Sequence, residues 1–191
     1  MCFATRQSPR PTRISRSNAS NTPPRFRSDR LPRSQDRTGS SMAGLYFDQF
    51  TVGQRFVHEL RRTILESDNM LFSNMTMNPA AIHIDHDYAS RTEFGRPLVN
   101  SLLTLGLVIG LSVQDTTFGT TIANVKLEET TFPKPVFAGD TIRVETEVMA
   151  LRDSKSRPTQ GLVTLLHVAY NQRDEIVCTC QRLALMMKTP A

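Results

Sequence analysis

Asn78 and His83 stand five residues apart in the segment Asn78-Pro79-Ala80-Ala81-Ile82-His83-Ile84-Asp85, which leads toward an uncharged apolar stretch at residues 101–113. An imidazole titrates near neutral pH, so a histidine can accept a proton and return it within one cycle. An asparagine cannot serve as a carboxylate base, but its amide can orient a water or hold an imidazole in one tautomer. The apolar stretch is too short to cross a bilayer and reads as a buried core helix. Proton-handling groups beside such a helix mark the rim of an active site. The plainer reading, a histidine that only satisfies a core hydrogen bond, stays open on these residues alone.

Other constellations carry less. His83, Asp85, His86 and Asp87 crowd one turn, but no distant Cys or His motif completes a zinc set, and no metal is expected. Asp85 reads as a helix cap. Asp68 and Glu66 are spare carboxylates on the preceding helix, Asp68 being a substitute acid or base if it approaches His83. His58, His86 and His167 read as structural or exposed. Cys178 and Cys180, two apart on one strand, read as core thiols, with no disulfide framework. No glycine pattern for nicotinamide, flavin or ATP occurs.

These residues need elements to position them. Residues 63–75 have helical spacing, with Thr63 and Glu66 in a capping-box pattern. Asp85 is placed to cap a short helix at 88–92, which Gly95-Arg96-Pro97 interrupts. In residues 101–113 Leu, Ile and Val cover nearly every side, so that helix is expected to be enclosed. Gly106 and Gly110 lower its propensity and would allow close approach of a sheet or a partner backbone. Period-two patterning then predicts strands at 121–131, 140–152, 161–171 and 175–187, after an earlier strand at 56–60. One buried helix followed by long strands is an α+β layer, a curved antiparallel sheet wrapped around a central helix, with edges that pairing across a dimer would cover.

Charge divides the chain. The formal charge is +5, yet residues 1–41 hold nine of the 23 basic residues, all Arg, and only Asp29 and Asp36 of the 18 acids. This Arg/Ser/Pro-rich tail is expected to be disordered. It reads as an organelle-targeting peptide, as leader ahead of a start at Met42, or as a functional basic arm. Residues 42–191 form one domain, slightly acidic, for which no nucleic-acid binding and no membrane span is expected. A cytoplasmic location follows, or a mitochondrial one if the tail is a targeting peptide.

Three stretches carry a family resemblance: residues 76–85; Phe94-Gly95-Arg96-Pro97-Leu98-Val99-Asn100-Ser101-Leu102-Leu103-Thr104; and Phe132-Pro133-Lys134-Pro135-Val136-Phe137-Ala138-Gly139-Asp140-Thr141. Ser154-Lys155-Ser156-Arg157-Pro158 is a fourth. Together they resemble the MaoC-like (R)-specific enoyl-CoA hydratases and dehydratases, most nearly the subgroup acting on itaconyl-CoA or mesaconyl-CoA. The resemblance implies a single hot-dog domain spanning most of residues 44–187. The family places an Asp five residues before its His, where this chain has Asn78; the Asn and Pro that follow fall on Ala80 and Ala81, and the family's His-Gly pair on Asn100-Ser101.

On that resemblance the chain is a lyase that reversibly hydrates a short, branched or dicarboxylic enoyl-CoA. His83 would be the acid–base residue and Asn78 would position the water. Backbone N–H groups at Ser101 and Leu102, at the start of the central helix, would meet the thioester oxygen. Lys155 and Arg157 would meet the coenzyme A phosphates, and Arg91 or Arg96 a distal carboxylate. Coenzyme A belongs to the substrate, and no separate cofactor is implied. A homodimer or larger homo-oligomer is expected. The alternatives are an acyl-CoA thioesterase, a non-catalytic acyl-CoA-binding protein, and a nucleic-acid role confined to the basic arm.

Overall fold

The computed structural model describes residues 44–190; the readings of the tail at 1–41 lie outside the described residues. A 3-10 turn (Phe47–Gln49) leads to strands β1 (Arg55–Val57) and β2 (Arg62–Thr63), then helices α1 (Glu66–Met75), α2 (Ala81–Ile84), α3 (His86–Ser90) and α4 (Ser101–Thr116). Four long strands follow: β3 (Thr121–Thr131), β4 (Thr141–Asp153), β5 (Gln160–Tyr170) and β6 (Ile176–Met187). All pair antiparallel in the order β1-β4-β5-β6-β3, with β2 also on β4.

The strand alternation explains the layering. On β4, Ile142, Val144, Thr146 and Val148 are buried, while Arg143, Glu145 and Glu147 stay half-exposed. Helix α4 packs on the inward face against β4, β5 and β6. It turns Thr104, Val108, Ser112 and Thr116, four residues apart, into the interior. This is the α+β hot-dog fold. Among the described residues no helix is long and apolar enough to cross a membrane.

The structure corrects several expectations. Thr63 does not cap α1; its hydroxyl bonds to that of Thr141 at 2.7 Å, because the residue belongs to β2. The Asp68 carboxylate takes the Leu65 N–H instead, at 2.9 Å. Strand β1 is shorter than the pattern suggested and α4 is longer. The third helix begins at His86, not Tyr88, with Asp85 as its cap through the Tyr88 N–H. Helix α4 is not enclosed within one chain: Ser101, Leu102, Gly106, Gly110 and Gln114 form an exposed stripe. A Cβ at Gly106 or Gly110 would meet nothing within 4 Å, so the sheet does not make the close approach those glycines allow. The outer edge of β3 likewise exposes Ile122, Val125 and Leu127.

Candidate active site

Helix α1 ends in a Schellman turn. The Met77 N–H reaches the Asn74 carbonyl at 3.1 Å and the Asn78 N–H reaches the Ser73 carbonyl at 2.9 Å. Met77 sits at φ 53°, where glycine is the usual occupant. The turn redirects the chain at Asn78, whose side-chain oxygen accepts the Ala80 N–H at 3.0 Å. One turn of helix, α2, then carries half-buried His83.

The imidazole is held by the backbone. His83 Nδ1 lies 3.0 Å from the Leu98 carbonyl oxygen. A carbonyl only accepts, so Nδ1 carries the proton and the neutral ring keeps Nε2 as its basic nitrogen. Of the two roles open to Asn78, orienting the ring therefore falls to Leu98. The asparagine's oxygen is engaged with Ala80, and its Nδ2 has no partner among the described residues.

Asn69 on α1 organises the rest, and the sequence reading missed it. Its Nδ2 donates to the carbonyls of His83 at 2.9 Å and Leu98 at 3.0 Å, and its Oδ1 accepts the Asn100 N–H at 2.8 Å. One buried amide thus ties α1, α2 and the entry to α4 together. The available signal was polar: α1 buries Asn69 and Ser73, four apart, while Leu71 and Met75 face solvent.

At the start of α4, Asn100 Oδ1 accepts the Leu102 N–H at 3.0 Å. The Leu102 amide is consumed by the cap. The Ser101 N–H has no hydrogen-bond partner among the described residues, at the positive end of the helix dipole. Leu98 bridges to Phe137, and the Val99 N–H bonds the Val136 carbonyl at 2.9 Å, which fixes this entry against the segment that leads into β4. The guanidinium of Arg96 lies over the Phe137 ring, 4.0 Å from its centroid. Arg91 is paired with Asp87.

The remaining acids are occupied elsewhere. Glu66 meets His86 Nε2 at 2.6 Å. The backbone N–H of Leu65, with Arg62 beyond it, holds the Asp68 carboxyl below its ordinary range. Neither joins His83. No group of three or more His, Cys, Asp or Glu among the described residues is arranged to hold a metal ion.

Residues 48–171, which contain Asn78, His83, Ser101 and Leu102, match the family described as MaoC like domain. The chain belongs to the MaoC-like family. It is 32% identical over 145 residues to the beta-methylmalyl-CoA dehydratase of Chloroflexus aurantiacus, a match covering 76% of this chain and 41% of that protein. It is also similar to the solved monoamine oxidase regulatory protein of Archaeoglobus, with 31% identity and a TM-score of 0.69 over 77% of this chain and 97% of that one. A third likeness is RV0216 of Mycobacterium tuberculosis, described as a double hotdogfold: 26% identity and a TM-score of 0.70 over 77% of this chain and 45% of that one. The chain spans about two fifths of the length of the curated relatives it matches first.

The MaoC-like chain does not bring Lys155 and Arg157 to His83. Both are exposed on the turn after β4, whereas the Leu98–Phe137 bridge lies before that strand begins. Thirteen residues of β4 separate the two ends, about 40 Å along the strand at ~3.3 Å per residue. Arg157 Nη1 instead meets Gln160 Oε1 at 3.3 Å.

Proposed function

We propose that this chain is a hydro-lyase that reversibly adds water to a short, branched, dicarboxylic enoyl-CoA such as mesaconyl-CoA or itaconyl-CoA. The observation that carries the reading is the His83 Nδ1 to Leu98 contact, which leaves a basic Nε2 close in the fold to an unengaged helix-start amide at Ser101. Water oxygen adds to the β carbon while the double-bond electrons move into the thioester. The Ser101 N–H meets the enolate oxygen that develops. His83 Nε2 takes the water's proton and returns it to the α carbon, so the sum is one water added. Asn78 Nδ2 orients that water. Dehydration is the same path reversed. The branched dicarboxylyl group is supported by the relative named for beta-methylmalyl-CoA, a hydroxylated methyl-branched dicarboxylyl thioester.

The functional unit is a pair of copies. A single hot-dog unit is similar to about half of a double hot-dog chain, and the open α4 stripe and bare β3 edge are the surfaces a second copy would cover. A second copy also offers a place for Lys155 and Arg157 at the coenzyme A phosphates of a site in the other chain. The test is product mass after incubation with mesaconyl-, itaconyl-, crotonyl- and saturated acyl-CoA. A gain of one water on the unsaturated thioesters is expected. Free CoA thiol as the main product would replace the hydratase reading with a thioesterase.

A further inference from the structure

The inward face of the sheet is apolar at both ends and polar across its middle. Val144, Ala169 and Cys178 belong to one buried cluster, and Val148, Leu165 and Ala184 to another. Between them a polar row crosses the strands. Asp115 Oδ2 lies 2.8 Å from His58 Nδ1, His58 Nε2 lies 2.8 Å from Thr146 Oγ1, and Thr146 Oγ1 lies 2.8 Å from His167 Nδ1. There the chain of hydrogen bonds stops. His167 Nε2 and Arg182 Nη1 are both buried with no partner among the described residues. Arg182 is 2% exposed, and its Nε donates to Asn124 Oδ1 at 2.7 Å. It forms no ion pair with a carboxylate among the described residues. A guanidinium stays charged at any working pH, and a buried charge without a counter-ion is strongly unfavourable. The site calls for an anion.

Ser101 and Asp115 are 14 residues apart on α4, about 21 Å at 1.5 Å per residue. A short acyl group held at His83 therefore cannot reach the row in its own chain. A two-fold axis crossing α4 at the Gly106–Gly110 stripe would bring them together, because it would set the N-terminal end of one α4 beside the C-terminal end of the other. We propose that Arg182, with His167 beside it, recognises the distal carboxylate of a dicarboxylyl thioester bound at the His83 of the second copy. Arg182 supplies the charge that meets the ligand carboxylate, from beside the buried His167 Nε2. The inference rests on the hydratase and paired-copy readings above.

The experiment compares wild type and Arg182→Met on mesaconyl-CoA and on crotonyl-CoA, which lacks the second carboxylate. Arg182→Met should lose about 100-fold or more in kcat/KM on mesaconyl-CoA, mainly through KM, and stay within about threefold of wild type on crotonyl-CoA. Arg182→Lys, which keeps the charge, should retain part of the preference and serves if the Met variant does not fold. A purified heterodimer of one Arg182→Met chain and one His83→Ala chain should recover about half the wild-type mesaconyl-CoA turnover, since one of its two sites is then intact. Equal losses on both thioesters, no recovery in the heterodimer, or dissociation of Arg182→Met into monomers would each overturn the inference. Wild type active on crotonyl-CoA but not on mesaconyl-CoA would overturn it alone. Activity on neither would overturn the hydratase reading beneath it.

Discussion

Replacing Asn69 by Leu keeps the side-chain volume and removes one amide. Three backbone groups lose a partner: the carbonyls of His83 and Leu98 and the N–H of Asn100. Each such bond contributes about 0.5–1.5 kcal/mol net, so the loss should be about 3 kcal/mol. It falls where Leu98 positions the His83 ring, so kcat should drop about 10- to 100-fold as that geometry loosens. Urea unfolding followed by far-UV circular dichroism reads the first number, through a lower midpoint at unchanged m-value. Steady-state hydration of mesaconyl-CoA reads the second. Asn69→Asp separates the parts, since a carboxylate still accepts from Asn100 but faces two carbonyls without a proton to give. Its destabilisation should grow as pH rises through the carboxylate range. An Asn69→Leu protein within 1 kcal/mol of wild type and with unchanged kcat would refute the role of this amide.

Other outcomes follow from the same geometry. Lys155→Ala with Arg157→Ala should raise KM for a CoA thioester far more than for the pantetheine thioester lacking the nucleotide phosphates, with kcat little changed; equal effects on both would remove the pair from the CoA site. Gly106→Leu with Gly110→Leu meets open space in one chain, so the protomer should fold while light scattering shows monomers; an intact dimer would place the interface elsewhere. Burial, aided by the charges of Arg182 and His58, pulls His167 from 6.5 down to about 3. The unfolded chain takes up that proton first, so stability should fall as pH drops from about 6.5 toward 3, by up to about 1.4 kcal/mol per pH unit. His167→Asn should flatten that limb in denaturant titrations, and an unchanged slope would count against the assignment.

What the sequence made legible was periodic or capped. Strands β3 to β6 came within a residue of their expected ends because inward and outward side chains alternate along them, and Asp85 caps the helix it was placed to cap. His83 stood out by residue type and setting. Its partners did not, because a backbone carbonyl at Leu98 and an amide at Asn69 carry no signature until the chain folds. The polar row from Asp115 to Arg182 was equally hidden: on each strand it is one polar residue in an otherwise regular pattern, and only the β4-β5-β6 register aligns Thr146 with His167 and Cys180. The helix α4 pattern misled for a different reason. An apolar surface on all sides reports that a helix is covered, without saying whether its own chain does the covering.

The central claim is that His83 carries the proton during hydration, and the most direct test is the turnover of mesaconyl-CoA by wild type and by His83→Ala at matched folding and acyl-CoA affinity. The hydratase mechanism predicts a loss of roughly 10²–10⁴-fold in kcat with the unfolding midpoint nearly unchanged. Equal turnover by the two proteins across mesaconyl-, itaconyl- and crotonyl-CoA would contradict it and leave acyl-CoA binding without catalysis.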